Sequence, residues 1–344
     1  MYANKKALSL IPNIEQEYVP LFRYAFGSTL LMCIAMTFVW DMAYLTPVLA
    51  LSFIAPGTTV PSFKKGILFV ITIAITTFIG FVFTKFFIHM KLVFIPIQTL
   101  AIFGIFYTNK LNAQVKVFML ISLLLIPLLG MQSIKIAHAF MVTFITGACI
   151  TIVLVWLMFA LFPDKDISAN EIKSISKANQ NNDEKERFYR SLEKIFIVLP
   201  IVLCFFFFQW TGAVLVLIFV AILSMQETFN LKSGFAMIIG NLGGGILAII
   251  AFQILTMVPF YPMLICIIAL GSLFCASHLF SNKKIAPLYG MGFSTFLLIT
   301  GQFLTSTDDA SANVWIRVFQ IMTAIAYVLI AFSISKAFKI KPNS

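Results

Sequence analysis

The apolar positions of this chain come in blocks. Residues 66–88, 137–162 and 234–258 each run with at most one full charge. An α-helix rises ~1.5 Å per residue, so ~20 residues cross a hydrocarbon core of ~30 Å. Inside lipid every backbone amide must be bonded within the span, which leaves helices or a closed barrel. Barrel strands alternate apolar and polar residues. Residues 117–129 are apolar on nearly all sides, with Ser122 the only polar side chain, so the pattern predicts helices. The predicted spans are 23–40, 43–55, 66–88, 92–107, 115–131, 137–162, 194–210, 213–225, 234–257, 261–280, 286–303 and 315–338. The second and eighth are short, and tilt or burial among other helices would accommodate them.

Composition points the same way. Of 344 residues, 60% are apolar and 11% charged, too few to cover the surface of a soluble domain. The net charge of +11 invites a nucleic-acid reading. The distribution of that charge instead fits the positive-inside bias of a membrane protein, so no nucleic-acid partner is expected. With the N-terminus in the cytoplasm, only Lys85, Lys91, Lys135 and Arg317 of the 24 lysines and arginines fall outside. The asymmetry supports cytoplasmic N- and C-termini and an even number of spans. The opening MYANKKALSLIPNIEQEYVP lacks a compact apolar stretch ending in a small-residue cleavage site, so the first long apolar run is expected to be retained. All five cysteines sit in apolar runs without metal spacing, and neither disulfides nor redox work is assigned to them.

The expected fold is an all-α polytopic membrane protein of about twelve transmembrane helices, arranged as two parallel six-helix repeats. The expected divisions are a cytoplasmic tail (1–22), a first repeat (23–162), a polar cytoplasmic linker (163–193), a second repeat (194–338) and a cytoplasmic tail (339–344). Part of the linker, 183–190, has helical character.

The repeat is read from matched positions. Trp40 ends the first span and Trp210 the seventh; Lys64 and Gly66 return as Lys232 and Gly234 at one offset. Thr72, Thr76 and Gly80 then match Gly240, Gly244 and Ala248. Positions i, i+4 and i+8 share a helix face, and small residues there admit a close neighbour, which drives packing where lipid supplies no hydrophobic force. Tyr107-Thr-Asn-Lys110 resembles Phe280-Ser-Asn-Lys283. His138 and Arg317 fall at equivalent places.

These residues carry a family resemblance. Trp40-Asp-Met-Ala-Tyr-Leu-Thr-Pro47, then Pro56-Gly-Thr-Thr, then Lys64-Lys-Gly66 opening a span with a small face, resembles the fusaric-acid-resistance and aromatic acid exporter superfamily. Met225-Gln-Glu-Thr-Phe-Asn-Leu-Lys-Ser-Gly234, running into Gly240-Asn-Leu-Gly-Gly-Gly245, looks like a second copy of the module. Larger members carry a long cytoplasmic domain between the halves, and the short linker here resembles a compact branch. The resemblance implies export of small aromatic or anionic compounds across an inner membrane, in partnership with a periplasmic adaptor (membrane fusion) protein.

Ionisable groups in a bilayer are expensive and therefore informative. Asp41, at the outer end of the first span, is a candidate proton or cation site, or a solvated loop carboxylate. Arg23 opens that span, either attracting an anionic substrate or anchoring the inner interface. Arg317 lies on the outer side against the charge bias, with Asp308, Asp309 or Asp41 as partners. Glu227 near Lys232 reads first as a surface ion pair. Asn241, in the glycine-rich span, would line a path or bond two helices together. Gln302 is a similar polar point, as are Gln98, Gln253 and Gln320; His278 lies near a span end. Arg23, Asp41, Asn241, Gln302 and Arg317 form the expected substrate or ion pathway. Pro47, Thr72, Thr76, Gly80, Gly240 and Gly244 are expected to serve packing or hinge motion, with Pro47, Pro96, Pro127 and Pro262 able to break or kink helices.

There is no P-loop, no H-E-x-x-H or comparable metal cluster and no nucleophile motif. Neither enzyme chemistry, metal nor cofactor is expected. The partners expected are a small-molecule substrate, the lipid bilayer and the adaptor, with a homo-oligomer left open. The sequence reads as a secondary exporter, most simply driven by the proton gradient. The alternative is a non-transporting scaffold or accessory subunit of an efflux or envelope assembly.

Overall fold

The computed structural model describes residues 18–38, 42–108, 111, 113–163, 184–208, 216, 220, 231–281, 283, 285–305, 319–320, 322–331 and 333–334. Among these residues every regular element is an α-helix. They are α1 (Val19–Phe38), α2 (Leu45–Ile54), α3 (Phe63–Phe87), α4 (Lys91–Tyr107), α5 (Ala113–Gln132), α6 (Ile134–Leu161), α7 (Glu184–Phe208), α8 (Leu231–Met257), α9 (Tyr261–Leu279), α10 (Ala286–Thr305) and α11 (Met322–Ala331). Seven of them, α1, α3, α5, α6, α7, α8 and α9, are long and apolar enough to cross a membrane, and α2, α4 and α11 are shorter apolar helices. The described residues are all-α, with the apolar helices of a multi-pass membrane protein.

Most predicted spans coincide with a helix. The seventh helix differs at its start, because α7 begins at Glu184 inside the expected linker. Its first turns, EKERFYRSLEK, are built from Glu, Lys, Arg and Leu, strong helix formers whose opposite charges recur at i+3 and i+4 spacing. The predicted span 213–225 lies outside the described residues apart from 216 and 220, and 315–338 is described only in part.

The chain divides into two compact units. Unit 1 comprises Met1–Gly66, Thr146–Asn181 and Gly240–Thr307; unit 2 comprises Ile67–Ile145, Asn182–Ile239 and Asp308–Ser344. The boundaries pass through α3, α6 and α8, so each unit draws on both halves of the sequence.

Within unit 1, α1 packs on α2, α9 and α10, and α10 also packs on α9 and α2. The α1–α9 contact is polar. Thr29 and Ser272 are hydrogen-bonded through their hydroxyls at 3.2 Å, and Ser272 Oγ donates to Ala25 O at 3.2 Å. Tyr261 OH donates to Cys33 O at 3.0 Å and lies 2.7 Å from Thr37 Oγ1. Residues 25, 29, 33 and 37 are one turn apart on a single face. In lipid, such bonds take the place of the hydrophobic force that joins helices in water.

Within unit 2, α4 packs on α5 and α7, and α5 on α7. The packing here is mainly aliphatic: residues 122–130 of α5 are all buried, and Leu123 to Ile126 with Leu128 and Leu129 form its core. Lys91, the first residue of α4, reaches Phe206 O of α7 with Nζ at 3.5 Å.

Candidate functional site

In unit 1 the region that joins α1 to α2 gathers polar groups at an unusual depth. α1 has 20 residues, enough for ~30 Å; α2 has only 10, or ~15 Å, half a hydrocarbon core. Contacts with α6 fix where α2 begins and ends. A methyl group on Gly147 would lie 2.9 Å from Thr46 Oγ1, and Thr151 Oγ1 donates to Thr46 O at 3.3 Å. Gly147 stands halfway along α6, whose 28 residues exceed the thickness of a hydrocarbon core. At the far end of α2, Ile54 and Met158 both crowd Gly27, where a methyl would meet Ile54 Cδ1 at 3.3 Å and Met158 Cγ at 3.2 Å. Met158 is three residues from the end of α6. Thus α2 runs beside the second half of α6 only, and its N-terminus lies at mid-length of a membrane-crossing helix.

A helix start at that depth has no water to satisfy its amides. The local sequence answers this with a tight turn. Met42 takes φ +54°, the left-handed region, and the amides of Leu45 and Thr46 donate to Met42 O and Ala43 O at 3.0 and 3.1 Å. Pro47, the third helical residue, has no N–H to satisfy. Pro47 therefore helps to start α2 and kinks no helix. Pro262 likewise sits in the first turn of α9, whereas Pro96 and Pro127 lie inside α4 and α5.

Tyr44, the residue before α2, seats the turn on α10. Gly301 faces it so closely that any side chain there would overlap Tyr44 Cβ, and would meet Met32 Cε at 3.2 Å. Gln302 Nε2 donates to Tyr44 OH at 3.4 Å. Beside Gly301, Thr300 is buried and its hydroxyl has no hydrogen-bond partner among the described residues. Tyr44, Thr46, Thr151, Thr300 and Gln302 thus give this level of unit 1 a set of hydroxyl and amide groups within apolar helices.

Below α2 the chain leaves helical geometry for residues 55–62. Gly57 takes φ +77°, which a side chain would strain. Thr58 Oγ1 donates to Phe53 O and Ala55 O, both at 2.7 Å. Trp156 Nε1 donates to Pro61 O at 2.9 Å, and its ring stacks on Phe63 at 5.2 Å. Gly66 lies against the same indole with no room for a side chain.

Arg23 lies toward the other end of α1 from this break and is 2% exposed. Its Nη1 donates to Phe162 O at 3.1 Å, and its guanidinium lies 3.8 Å from the centroid of the Phe159 ring. It caps the C-terminal end of α6, where orphan carbonyls and the helix dipole favour a cation. Asn241 is buried, and its Oδ1 accepts the Thr295 hydroxyl across the α8–α10 contact. The small residues beside it have the same partner helix. A methyl on Gly240 would lie 2.9 Å from Leu288 O, and one on Gly244 would overlap the carbonyl of Gly292.

The matched positions in the first half are packed less tightly. Thr72 and Thr76 are half-buried and bond back to Leu68 O and Thr72 O at 2.7 and 2.8 Å. Gly80 is in ordinary contact with Ile126 and Leu123. The buried face of α3 runs through Phe69, Ile73, Thr77, Gly80 and Thr84 instead. Gln98 Nε2 donates to Leu123 O, tying α4 to α5; Gln253 is exposed, Gln320 buried, and His278 stacks on Tyr289 at 4.5 Å. Asp41 and Arg317, with Trp40, Glu227, Asp308 and Asp309, lie outside the described residues.

Of the expected pathway residues, the structure brings Gln302 to the α1–α2 break, Asn241 to a helix contact and Arg23 to a helix end. Tyr44, Thr46 and Thr151 were not singled out from the sequence, since neutral hydroxyls in apolar runs carry no charge signal. The one available hint was their place in and around the Trp40–Pro47 segment. Among the described residues no group of three His, Cys, Asp or Glu side chains gathers to hold a metal ion. No protein family, curated protein or solved structure matches the chain.

Proposed function

We propose that this chain is an inner-membrane secondary transporter that exports small aromatic or anionic organic compounds, working with a periplasmic adaptor. The observation that carries the reading is α2. A ten-residue helix that starts at mid-length of a membrane-crossing partner, followed by a non-helical stretch, is a costly way to build a passive scaffold. Broken helices of this kind recur where transporters bind solutes, because non-helical backbone at membrane depth is tolerated only in protein or beside a cavity. The export direction and the adaptor come from the family resemblance.

The packing within the units supports the two-repeat, twelve-span form of the proposal. Number the predicted spans along the chain, so that α1 and α7 are the first and seventh, α4 and α9 the fourth and tenth, and α5 and α10 the fifth and eleventh. Unit 1 then joins the first span to the tenth and eleventh, and unit 2 joins the seventh to the fourth and fifth. The pattern is the same with the halves exchanged. Single contacts follow it too. Tyr261, first residue of α9, donates to a carbonyl of α1, and Lys91, first residue of α4, donates to a carbonyl of α7. A parallel duplication whose halves trade elements would produce this, and relative movement of two such bodies is the simplest route to alternating access.

The test is accumulation of a panel of aromatic and hydroxylated acids in cells with and without the chain. It is repeated with Asp41→Asn, Arg317→Ala and Gln302→Ala. Export predicts higher accumulation without the chain and a defect in at least the Gln302 variant. Equal accumulation in both strains rejects export and favours the scaffold reading, for which the Asn241–Thr295 and Gln98–Leu123 bonds are simply helix ties.

A further inference from the structure

On α8 an open seam lies on the side turned away from α10. Its exposed residues Gly243, Ile246, Ile250, Gln253 and Met257 follow one another at alternating steps of three and four. At ~100° per residue they fall within an arc of about 80°. The residues that meet α10, Gly240, Asn241 and Gly244, centre about 150° away around the same helix. Alternating steps of three and four form the seam along which two helices wind in a left-handed pair, the commonest crossing in membranes.

Two residues on this seam are ill suited to lipid. A glycine inside a helix is less favourable than alanine. At Gly240 and Gly244 the backbone of α10 comes too close for a side chain, whereas at Gly243 a methyl would meet nothing within 4 Å. No contact within the chain accounts for that glycine. Gln253 lies inside the apolar span Ile239–Met257, four residues from its end. Among the described residues its side-chain amide has no hydrogen-bond partner, and Thr256 bonds only its main-chain carbonyl. Helical side chains lean toward the N-terminus, which for Gln253 is away from the nearer end of the span and toward the bilayer centre. Gln98, Asn241 and Gln302, by contrast, are each bonded to another segment of the chain. An amide left unbonded in hydrocarbon is strongly unfavourable.

A second copy of the chain answers both features at once. Two copies inserted the same way round are related by a twofold axis along the membrane normal, so their α8 helices run parallel and each seam residue faces its twin. A glutamine side chain is donor and acceptor together, so two of them at one level bond each other. Gly243 on the same seam admits the opposite backbone. Lipid tails offer the amide neither donor nor acceptor, and a water-filled path is not lined by Ile246, Ile250 and Met257, all of them exposed here.

We infer that two copies of this chain pair through α8, with Gly243 against Gly243 and Gln253 hydrogen-bonded to Gln253. The pairing is independent of whether the chain transports.

The full-length protein, labelled once at its C-terminus, is reconstituted in liposomes over a range of protein-to-lipid ratios, and copies are counted by single-molecule photobleaching. The wild type should pass from one step to two as its density rises. Gln253→Leu should raise the density needed by roughly three- to twentyfold, the worth of one interhelical hydrogen bond in lipid. Gly243→Leu should raise it by at least about tenfold. Leu270→Ala, at an exposed position on α9, should leave it unchanged. Diluted to single copies in micelles, Gly243→Leu should be no less stable than the wild type, because position 243 is open within its own chain. A wild type that stays single at every ratio, or variants that pair as it does, overturns the inference. A second measurement leaves Gly243 and Gln253 in place. A benzophenone amino acid substituted for Ile246 should, on irradiation in membranes, give a product of twice the chain's mass. Products with lipid alone, with a different protein or within one chain would also overturn it.

Discussion

The contact between α8 and α10 makes opposite predictions for two adjacent glycines. A methyl group added at Gly244 would lie 2.8 Å from the carbonyl carbon and 3.0 Å from the α-carbon of Gly292, with the carbonyl oxygen closer still. Unstrained carbon pairs sit ~3.5–4.0 Å apart, so the two helices must separate by on the order of 1 Å. The obstacle is helix backbone, which cannot swing aside as a side chain would. The same separation pulls on the Asn241–Thr295 hydrogen bond and on Gly240 against Leu288, both on that face. Overpacking costs about 1–3 kcal/mol, and an interhelical hydrogen bond in a membrane contributes about 0.6 kcal/mol. Alanine's helix propensity returns up to ~1 kcal/mol. The net expectation for Gly244→Ala is a loss of about 0.5–2.5 kcal/mol.

At Gly243, one residue earlier, a methyl meets nothing within 4 Å and the position is exposed. Only the propensity gain applies there, so Gly243→Ala should be neutral or stabilising by up to ~1 kcal/mol. The assay is reversible unfolding of both variants in mixed micelles with increasing denaturing detergent, followed by helical circular dichroism. If Gly244→Ala matched Gly243→Ala to within ~0.5 kcal/mol, the backbone-on-backbone account of this contact would be wrong.

Three further variants probe the ends of α2 and α6. Gly301→Ala should displace Tyr44 and with it the start of α2, lowering transport by more than tenfold at unchanged membrane abundance; normal transport would detach the α1–α2 break from function. Arg23→Gln should cost about 1.5–3 kcal/mol by removing a charged hydrogen bond to Phe162 O and the contact with Phe159, with Arg23→Lys in between, measured by the same unfolding assay. Trp156→Phe keeps an aromatic ring but loses the pyrrole ring and its bond to Pro61 O, so stability should fall by at least about 0.5–1.5 kcal/mol. Limited proteolysis should then cut residues 55–62 faster than in the wild type.

The helices were legible because a membrane makes the apolar run both necessary and sufficient for a span. The start of α7 was legible in part: 183–190 read as helical, and Glu184 does open a helix, but the polarity of EKERFYRSLEK placed that stretch in a linker and not at the head of the seventh span. The contact at Gly240 and Gly244 was half legible. The small face could be read from residue spacing, but its partner could not. Gly292 and Leu288 lie far along the chain, and nothing local to α8 names them. In α3 the same spacing falls on Thr72 and Thr76, whose hydroxyls bond to their own helix and whose face is only half-buried. Charge was a poor guide to depth. Arg23 stands out by its charge and caps a helix end, while of the uncharged polar groups beside the α2 start only Gln302 stood out.

The way helices choose partners here follows from the solvent they sit in. Lipid tails are as apolar as leucine, so burial of apolar surface cannot tell one helix from another. What can discriminate is a hydroxyl that needs an acceptor and a glycine that admits a backbone. The α1–α9 seam has the first mark: Thr29 and Ser272 bonded, Tyr261 and Thr37 bonded, and Ala25 and Cys33 presenting carbonyls between them. That seam joins the first membrane helix to one more than two hundred residues later. In unit 2, α4 and α7 are joined by a lysine on a carbonyl at one end and by aromatic contacts at both. α1 thus takes a partner from late in the chain besides α2, and α7 takes its partners from early in it. The specificity of that exchange resides in a few polar atoms and not in the apolar bulk that made the helices visible.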